Sequence, residues 1–168
     1  MKRKMSFTAV ISIAFLLCLL ASNNGASGQD AQSPAHGQPL VGTWDVTLRF
    51  PICSATCQCP GGVPNIPIPA LHTYSKDGTM EEVSGGTLFR GDALGSWEHV
   101  RDQEYSARYK FFIFNPTTGA RTLTEVVTSQ IQLQGRDAFD ATATLDLFAA
   151  DGTPIPNTCQ INITGTRF

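Results

Sequence analysis

Trp44-Asp45-Val46-Thr47-Leu48-Arg49-Phe50 alternates strictly: Trp44, Val46, Leu48 and Phe50 share one face, and Asp45, Thr47 and Arg49 share the other. Alternation with period two marks a strand buried on one side. The closing stretch, Gln160-Ile161-Asn162-Ile163-Thr164-Gly165-Thr166-Arg167-Phe168, has the same period, with Ile161, Ile163 and Gly165 in phase. Laid antiparallel with Trp44 opposite Arg167, the two stretches match in order: Val46 meets Gly165, Leu48 meets Ile163, and Phe50 meets Ile161. One step further brings Cys159 beside Ile52 and Cys53, although no cysteine was used to set the register. A sheet whose first and last strands pair is a closed barrel without free edges.

The intervening sequence supplies the other staves. The first strand is expected over residues 40–50, and residues 51–69 form a Cys-, Gly- and Pro-rich loop unsuited to a central strand. Strands over 70–74 and 79–84 flank an Asp77-Gly78 turn, a strong hairpin signal. A glycine-containing loop over 85–94 leads to strands over 96–100 and 104–114. Asn115-Pro116-Thr117-Thr118-Gly119 is a turn, followed by strands over 121–134 and 139–148 joined at Gly135-Arg136-Asp137. Asp151-Gly152-Thr153-Pro154 turns the chain into the last strand, 159–168. Eight strands, short connections and no helix predict an all-β, eight-stranded antiparallel up-and-down barrel. A sandwich is the rival, but its Greek-key crossings need longer connections.

The 168 residues suit one domain, expected over 40–168. Residues 1–28 read as a cleaved signal peptide: Lys2, Arg3 and Lys4 precede an apolar run over 7–21 and a small-residue site at Ala26 and Gly28. That run is shorter than the ~20 residues needed to span a bilayer, so no stable membrane anchor is expected after cleavage. An uncleaved anchor and a lipoprotein attached at Cys18 are the alternatives, though Leu17 occupies a position where a lipoprotein site takes a small residue. Residues 29–39 are a polar lead-in containing His36, expected to be solvated. The formal net charge is −2, and loss of Lys2, Arg3 and Lys4 leaves 9 basic against 14 acidic residues, about −5. No cationic field remains to hold nucleic acid. The expected location is secreted or periplasmic.

Export also sets the reading of the cysteines. Cys53, Cys57, Cys59 and Cys159 remain after cleavage, and an even number in an oxidising compartment implies two disulfides. A Cys57–Cys59 bond would close a strained ring. Two pairings stay open: Cys53–Cys57 with Cys59–Cys159, or Cys53–Cys59 with Cys57–Cys159. A thiolate site for zinc or copper(I) is the competing use of the four sulfurs. Oxidation is the expected state, with no metal and no cofactor.

The inward faces are expected to carry Trp44, Val46, Leu48 and Phe50; Tyr105, Ala107, Tyr109, Phe111 and Ile113; Leu123, Glu125, Val127, Ser129, Ile131 and Leu133; Phe139, Ala141, Ala143, Leu145 and Leu147; and Ile161, Ile163 and Gly165. His72 and Tyr74 share one face, as do Trp97 and His99. Ala107, Ala141, Ala143 and Gly165 are small, and an eight-stranded barrel either fills itself or holds one small ligand. Glu125, in phase with Leu123 and Val127, is the leading polar candidate, because a buried carboxylate needs a partner or a raised pKa. Its bland alternative is a solvated place at a barrel mouth; for His72 and His99 it is a satisfied interior or rim position. Tyr105 and Tyr109 hydroxyls can orient a ligand. The sequence has no Ser-His-Asp spacing, zinc-protease motif, phosphate loop or nucleophile elbow. Asn162-Ile163-Thr164 is a glycosylation sequon, awkward within a paired strand.

Gly42-Thr43-Trp44 with the late Arg167 resembles the lipocalin and wider calycin arrangement, in which an inward Trp closes one barrel end under a basic residue. The longer pattern comprises Pro69-Ala70-Leu71-His72-Thr73-Tyr74, Gly95-Ser96-Trp97, Phe111-Phe112-Ile113-Phe114 and Gly165-Thr166-Arg167-Phe168. It is similar to a group of small exported bacterial proteins with calycin-like barrels and no assigned activity. That resemblance implies fold and export and transfers no catalytic residue; unlike typical lipocalins, the sequence presents no C-terminal helix. The expected function is binding of a small apolar molecule by Trp44, Trp97, Tyr105, Tyr109, Phe111 and Leu145, with Glu125 or His72 as polar handles. A cyclase or isomerase similar in barrel type to allene oxide cyclases, with Glu125 as acid or base, is the second expectation. A structural envelope module with a filled interior is the third.

Overall fold

The alternating segments become strands in a computed structural model that describes residues 39–55, 57, 59, 62–85, 90–157 and 159–168. Residues 1–38, which hold the expected signal segment, most of the expected lead-in, Cys18 and His36, lie outside the described residues. The strands are β1 (Gly42–Arg49), β2 (Ile68–Tyr74), β3 (Thr79–Ser84), β4 (Ala93–Arg101), β5 (Glu104–Phe114), β6 (Arg121–Leu133), β7 (Ala138–Ala149), β8 (Pro154–Ile155) and β9 (Gln160–Arg167). Each pairs antiparallel in the order β6-β5-β4-β3-β2-β1-β9-β7-β8, and β6 also pairs with β7. That last ladder shuts the sheet into an eight-stranded barrel, with β8 appended to the outer end of β7.

Hairpin chemistry accounts for the order. At Asp77-Gly78, Asp77 Oδ1 accepts the Thr79 amide at 2.9 Å, and Gly78 adopts φ 86°, a left-handed conformation that a Cβ penalises. The first and last strands pair in the expected register: Trp44 with Arg167, Val46 with Gly165, and Leu48 with Ile163. The ladder stops at Arg49 and Asn162, so the expected Phe50–Ile161 pair is not part of it. Asn162 lies exposed on the outer face of this pair.

Strand bounds depart from the sequence expectation in three places, and the structure selects one of the open disulfide pairings. The second strand begins at Ile68, so Ile68 and Pro69, expected in the loop over 51–69, pair with Leu48 and Thr47. The fourth strand begins at Ala93, because Glu81 and Glu82 pair with Leu94 and Ala93. Pro154–Ile155, expected to end a turn, pairs with Leu147 and Phe148 as a ninth, two-residue strand. Cys159 bonds to Cys57, and Cys53 bonds to Cys59, which selects the second of the two open pairings. All four described cysteines are therefore disulfide-bonded, the state favoured by an oxidising, extracellular-type environment. Among the described residues no helix is long and apolar enough to cross a membrane.

The core is drawn from the inward positions of the eight barrel strands, including Val46, Leu48, Met80, Ala107, Val127, Ile131, Ala141 and Ile163. Gly165 explains how a small residue is used here. A Cβ on it would lie 2.2 Å from the Phe139 ring, so the missing side chain is the space that Phe139 occupies.

Candidate functional site

The two ends of the barrel differ. At one, Trp44 is 0% exposed and its Nε1 donates to the Leu40 carbonyl at 2.9 Å. Arg167 lies over the Trp44 ring at 4.2 Å and donates to the carbonyls of Val41 at 3.0 Å and Pro39 at 2.6 Å. Edge-to-face contacts carry the packing inward, from Trp44 to Phe139 at 5.1 Å and from Tyr74 to Trp97 at 6.0 Å. Trp97 donates its indole N–H to the Ser75 carbonyl at 2.9 Å, and Tyr105 packs against Trp97 at 5.8 Å. This end is sealed. Of the expected wall residues, Trp44, Trp97 and Tyr105 lie here.

Midway along the interior a polar cluster begins. Register sets His72 of β2 beside Trp44 of β1 and Glu82 of β3, so the inward phase of β3 delivers a carboxylate into the barrel. His72 and Glu82 are 1% and 0% exposed, and His72 Nε2 approaches Glu82 Oε2 at 3.2 Å. The other ring nitrogen, Nδ1, shares a 3.1 Å hydrogen bond with the Tyr74 hydroxyl. Nδ1 is thereby hydrogen-bonded, whereas Nε2 meets Glu82 Oε2 as a close ion-pair contact without good hydrogen-bond geometry.

Arg90 completes the cluster from the segment between β3 and β4. Its guanidinium pairs with Glu82 Oε1, donates to Ser84 Oγ, and stacks over the Phe111 ring at 3.4 Å. Burial would raise the Glu82 pKa, but the His72 contact and the Arg90 charge outweigh it and hold the carboxyl at about 2. Glu82 is an enclosed anion with two partners.

Tyr109, on β5 beside Gly95, points into the same interior. Burial, then the Glu82 charge, pushes its pKa well up, so it stays an O–H donor. Glu82 lies close enough to its hydroxyl to contribute to that rise; four enclosed atoms of the cluster, the Tyr109 hydroxyl, Glu82 Oε2, His72 Nε2 and Arg90 Nε, make no hydrogen bond of good geometry among the described residues. Tyr74 is likewise pushed up by burial and by Glu82.

Glu125 stands beyond Arg90, flanked across the sheet by Phe111 and Leu147. Burial raises its pKa to about 7; Arg90 opposes that rise and Glu82 adds to it. Half-buried Phe50, Ile68, Ile113 and Leu147 pack around this end, and Leu145 lies inward beside Val127. The contrast with the Trp44 end is chemical as well as geometric. One end is aromatic and sealed; the other presents a guanidinium, a titratable carboxyl and apolar rim.

His99, in phase with Trp97, is exposed at the β4–β5 turn, where its Nε2 pairs with the Asp102 carbonyl at 3.0 Å. It lies apart from the cluster. Glu82 and Arg90 were not legible as site residues. Glu82 could have been found from its phase with Met80, yet Glu81-Glu82-Val83 also reads with Val83 inward; in fact Val83 is 53% exposed. Arg90 sits in an irregular segment with no periodicity to place it. Two concavities bounded by described residues lie elsewhere. One, of about 570 Å³, lies between Glu104, Gln130, Asp140 and Asn162, and the other beside the disulfides. No group of three or more His, Cys, Asp or Glu among the described residues is placed to hold a metal ion.

Comparison with protein-family models, curated proteins and solved structures finds no match. The functional reading therefore rests on the barrel and this cluster.

Proposed function

We propose that the protein is an exported, lipocalin-like barrel that binds a small apolar molecule at the Arg90–Glu125 end. The observation that carries this reading is the interior polar cluster itself. Closing the barrel requires only apolar inward residues, whereas Glu82 and Arg90 place opposite charges inside it. Such pairs are seldom the stabilising choice over apolar side chains. Buried, perturbed carboxyls beside apolar walls are characteristic of binding sites. Tyr109, Phe111 and Leu145 form the wall in this reading, Glu125 is the polar handle, and His72 positions Glu82. Trp44, Trp97 and Tyr105 close the base behind them.

Native mass spectrometry of protein purified from its own host, with titration by the uncharged dye Nile red, tests the proposal. A co-purifying small molecule or saturable dye binding, abolished by Leu145→Trp, is the expected result. An empty barrel together with no dye binding overturns it.

One observation favours a second reading, an isomerase or cyclase. A Glu125 carboxyl at about 7 is matched to proton transfer near neutral pH. Under that reading Glu125→Gln abolishes turnover of the bound molecule and leaves its affinity intact.

A further inference from the structure

All three tyrosines and both tryptophans of the sequence are buried in the barrel, and their rings connect. Trp44 meets Phe139 at 5.1 Å, Phe139 meets Tyr74 at 6.4 Å, Tyr74 meets Trp97 at 6.0 Å, and Trp97 meets Tyr105 at 5.8 Å. Tyr109 joins through His72 at 5.8 Å. Tyr105 packs against exposed His99 at 5.0 Å, which sets the outer end of the chain at the β4–β5 turn. Glu98 and Asp102 lie exposed beside His99, and Arg101 is paired with Glu104, so the surface there is anionic.

What separates these rings is where a proton can go. A buried ring that gives up an electron is left as a costly enclosed cation unless a base takes its proton. The indole N–H groups of Trp44 and Trp97 face the carbonyls of Leu40 and Ser75, which accept hydrogen bonds but are not bases. Tyr74 differs, because its hydroxyl is 3.1 Å from His72 Nδ1. The Glu82 carboxylate, 3.2 Å from Nε2, favours the proton of a neutral imidazole on Nε2 and leaves the Nδ1 lone pair to the Tyr74 O–H. A second proton, on Nδ1, makes an imidazolium that faces an anion already fixed by Arg90. Burial and the Glu82 charge push the Tyr74 pKa up, so the phenol keeps its proton until it loses an electron.

We propose that the barrel takes one oxidising equivalent from an outer-sphere oxidant, a high-potential cationic metal complex at the β4–β5 turn, and holds it as a neutral Tyr74 radical. Trp97 gives one electron to the oxidant, which is reduced by one electron. Tyr74 returns an electron to Trp97 as its O–H bond breaks and the proton forms an N–H bond at His72 Nδ1. The products are a neutral phenoxyl, an imidazolium paired with Glu82, and an unchanged Trp97. This route needs no bound ligand, so it stands or falls apart from the ligand reading above.

Ruthenium(III) tris-bipyridine, generated by a flash with persulfate, is the probe, and freeze-quenched protein is read by pulsed electron paramagnetic resonance. The wild type is expected to give a tyrosyl signal with an exchangeable proton and coupling to an imidazole nitrogen. That coupling marks a phenol bonded to histidine and is read without any variant. The signal is lost in Tyr74→Phe, which keeps the ring, and kept in Tyr109→Phe. In His72→Gln, which retains a hydrogen-bond acceptor but no base, the tyrosyl yield falls and a tryptophan radical takes its place. A tyrosyl signal that survives Tyr74→Phe, a wild-type radical without imidazole coupling, an unchanged yield in His72→Gln, or no aromatic radical at all overturns the proposal.

Discussion

Glu82 and Glu125 begin with the same side-chain chemistry and are driven in opposite directions by their neighbours. Glu82 gains a His72 contact and the Arg90 charge, which outweigh burial. Glu125 is desolvated with no ion pair of its own among the described residues, so its protonated form is favoured. The consequences for stability have opposite sign. Glu82 is held below its ordinary 4.5, so its contribution is present above that pH and is lost as pH falls toward 2. Glu125 is raised from 4.5 to about 7, so the folded state retains a proton that the unfolded chain has released. Its contribution is present below 4.5 and is lost as pH rises to 7. At roughly 1.4 kcal/mol per pKa unit, that loss is on the order of 3 kcal/mol. Urea unfolding from pH 4.5 to 8 should show this decline in the wild type. In Glu125→Gln the profile over that range should be nearly flat. An unchanged slope in the variant would place the titration on another group.

Strand phase, at the scale of elements, was legible wherever apolar residues alternated without interruption. β5, β6 and β7 carry their inward residues at the expected positions, from Tyr105 through Leu147. β3 was the exception, because its six residues include Met80 inward, Val83 outward and two adjacent glutamates. A short strand with apolar residues on both faces has no single phase in sequence; pairing with β2 sets it by placing Glu82 opposite His72. The same pairing logic applies between β7 and β9, where Phe139 faces Gly165. The Phe139 ring occupies the site of a Cβ on residue 165. Gly165→Ala should therefore destabilise the barrel by about 1–3 kcal/mol through overpacking. Thermal unfolding should recover part of the loss when Phe139→Leu is added. Additive losses in the double variant would show that the ring is not the conflicting group.

For the molecule as a whole, two bonds of similar chemistry differ in reach. Cys53–Cys59 spans a separation of 6, whereas Cys57–Cys159 spans 102 and ties the loop after β1 to the approach to β9. On the chain-entropy account the long bond restricts the unfolded state more, by ~5 against ~2 kcal/mol. Cys57→Ser/Cys159→Ser should lower the guanidinium midpoint about twice as far as Cys53→Ser/Cys59→Ser. Equal shifts would point to local packing at the loop in place of chain restriction. Closure itself takes a different route, through the β1–β9 and β6–β7 ladders and the Arg167 contact over Trp44.

Alternation and turn chemistry are local, and residue order alone carries the strand count of the barrel, the β1–β9 register and the inward phase of Glu125. These follow because side chains alternate with period two and because tight hairpins leave neighbouring strands one way to pair. The tertiary structure alone decided the disulfide pairing, the phase of β3 and the meeting of His72, Glu82 and Arg90. Those depend on which distant backbone segments share one interior. A carboxylate's environment is set by neighbours across the barrel, and no periodicity along the chain records them.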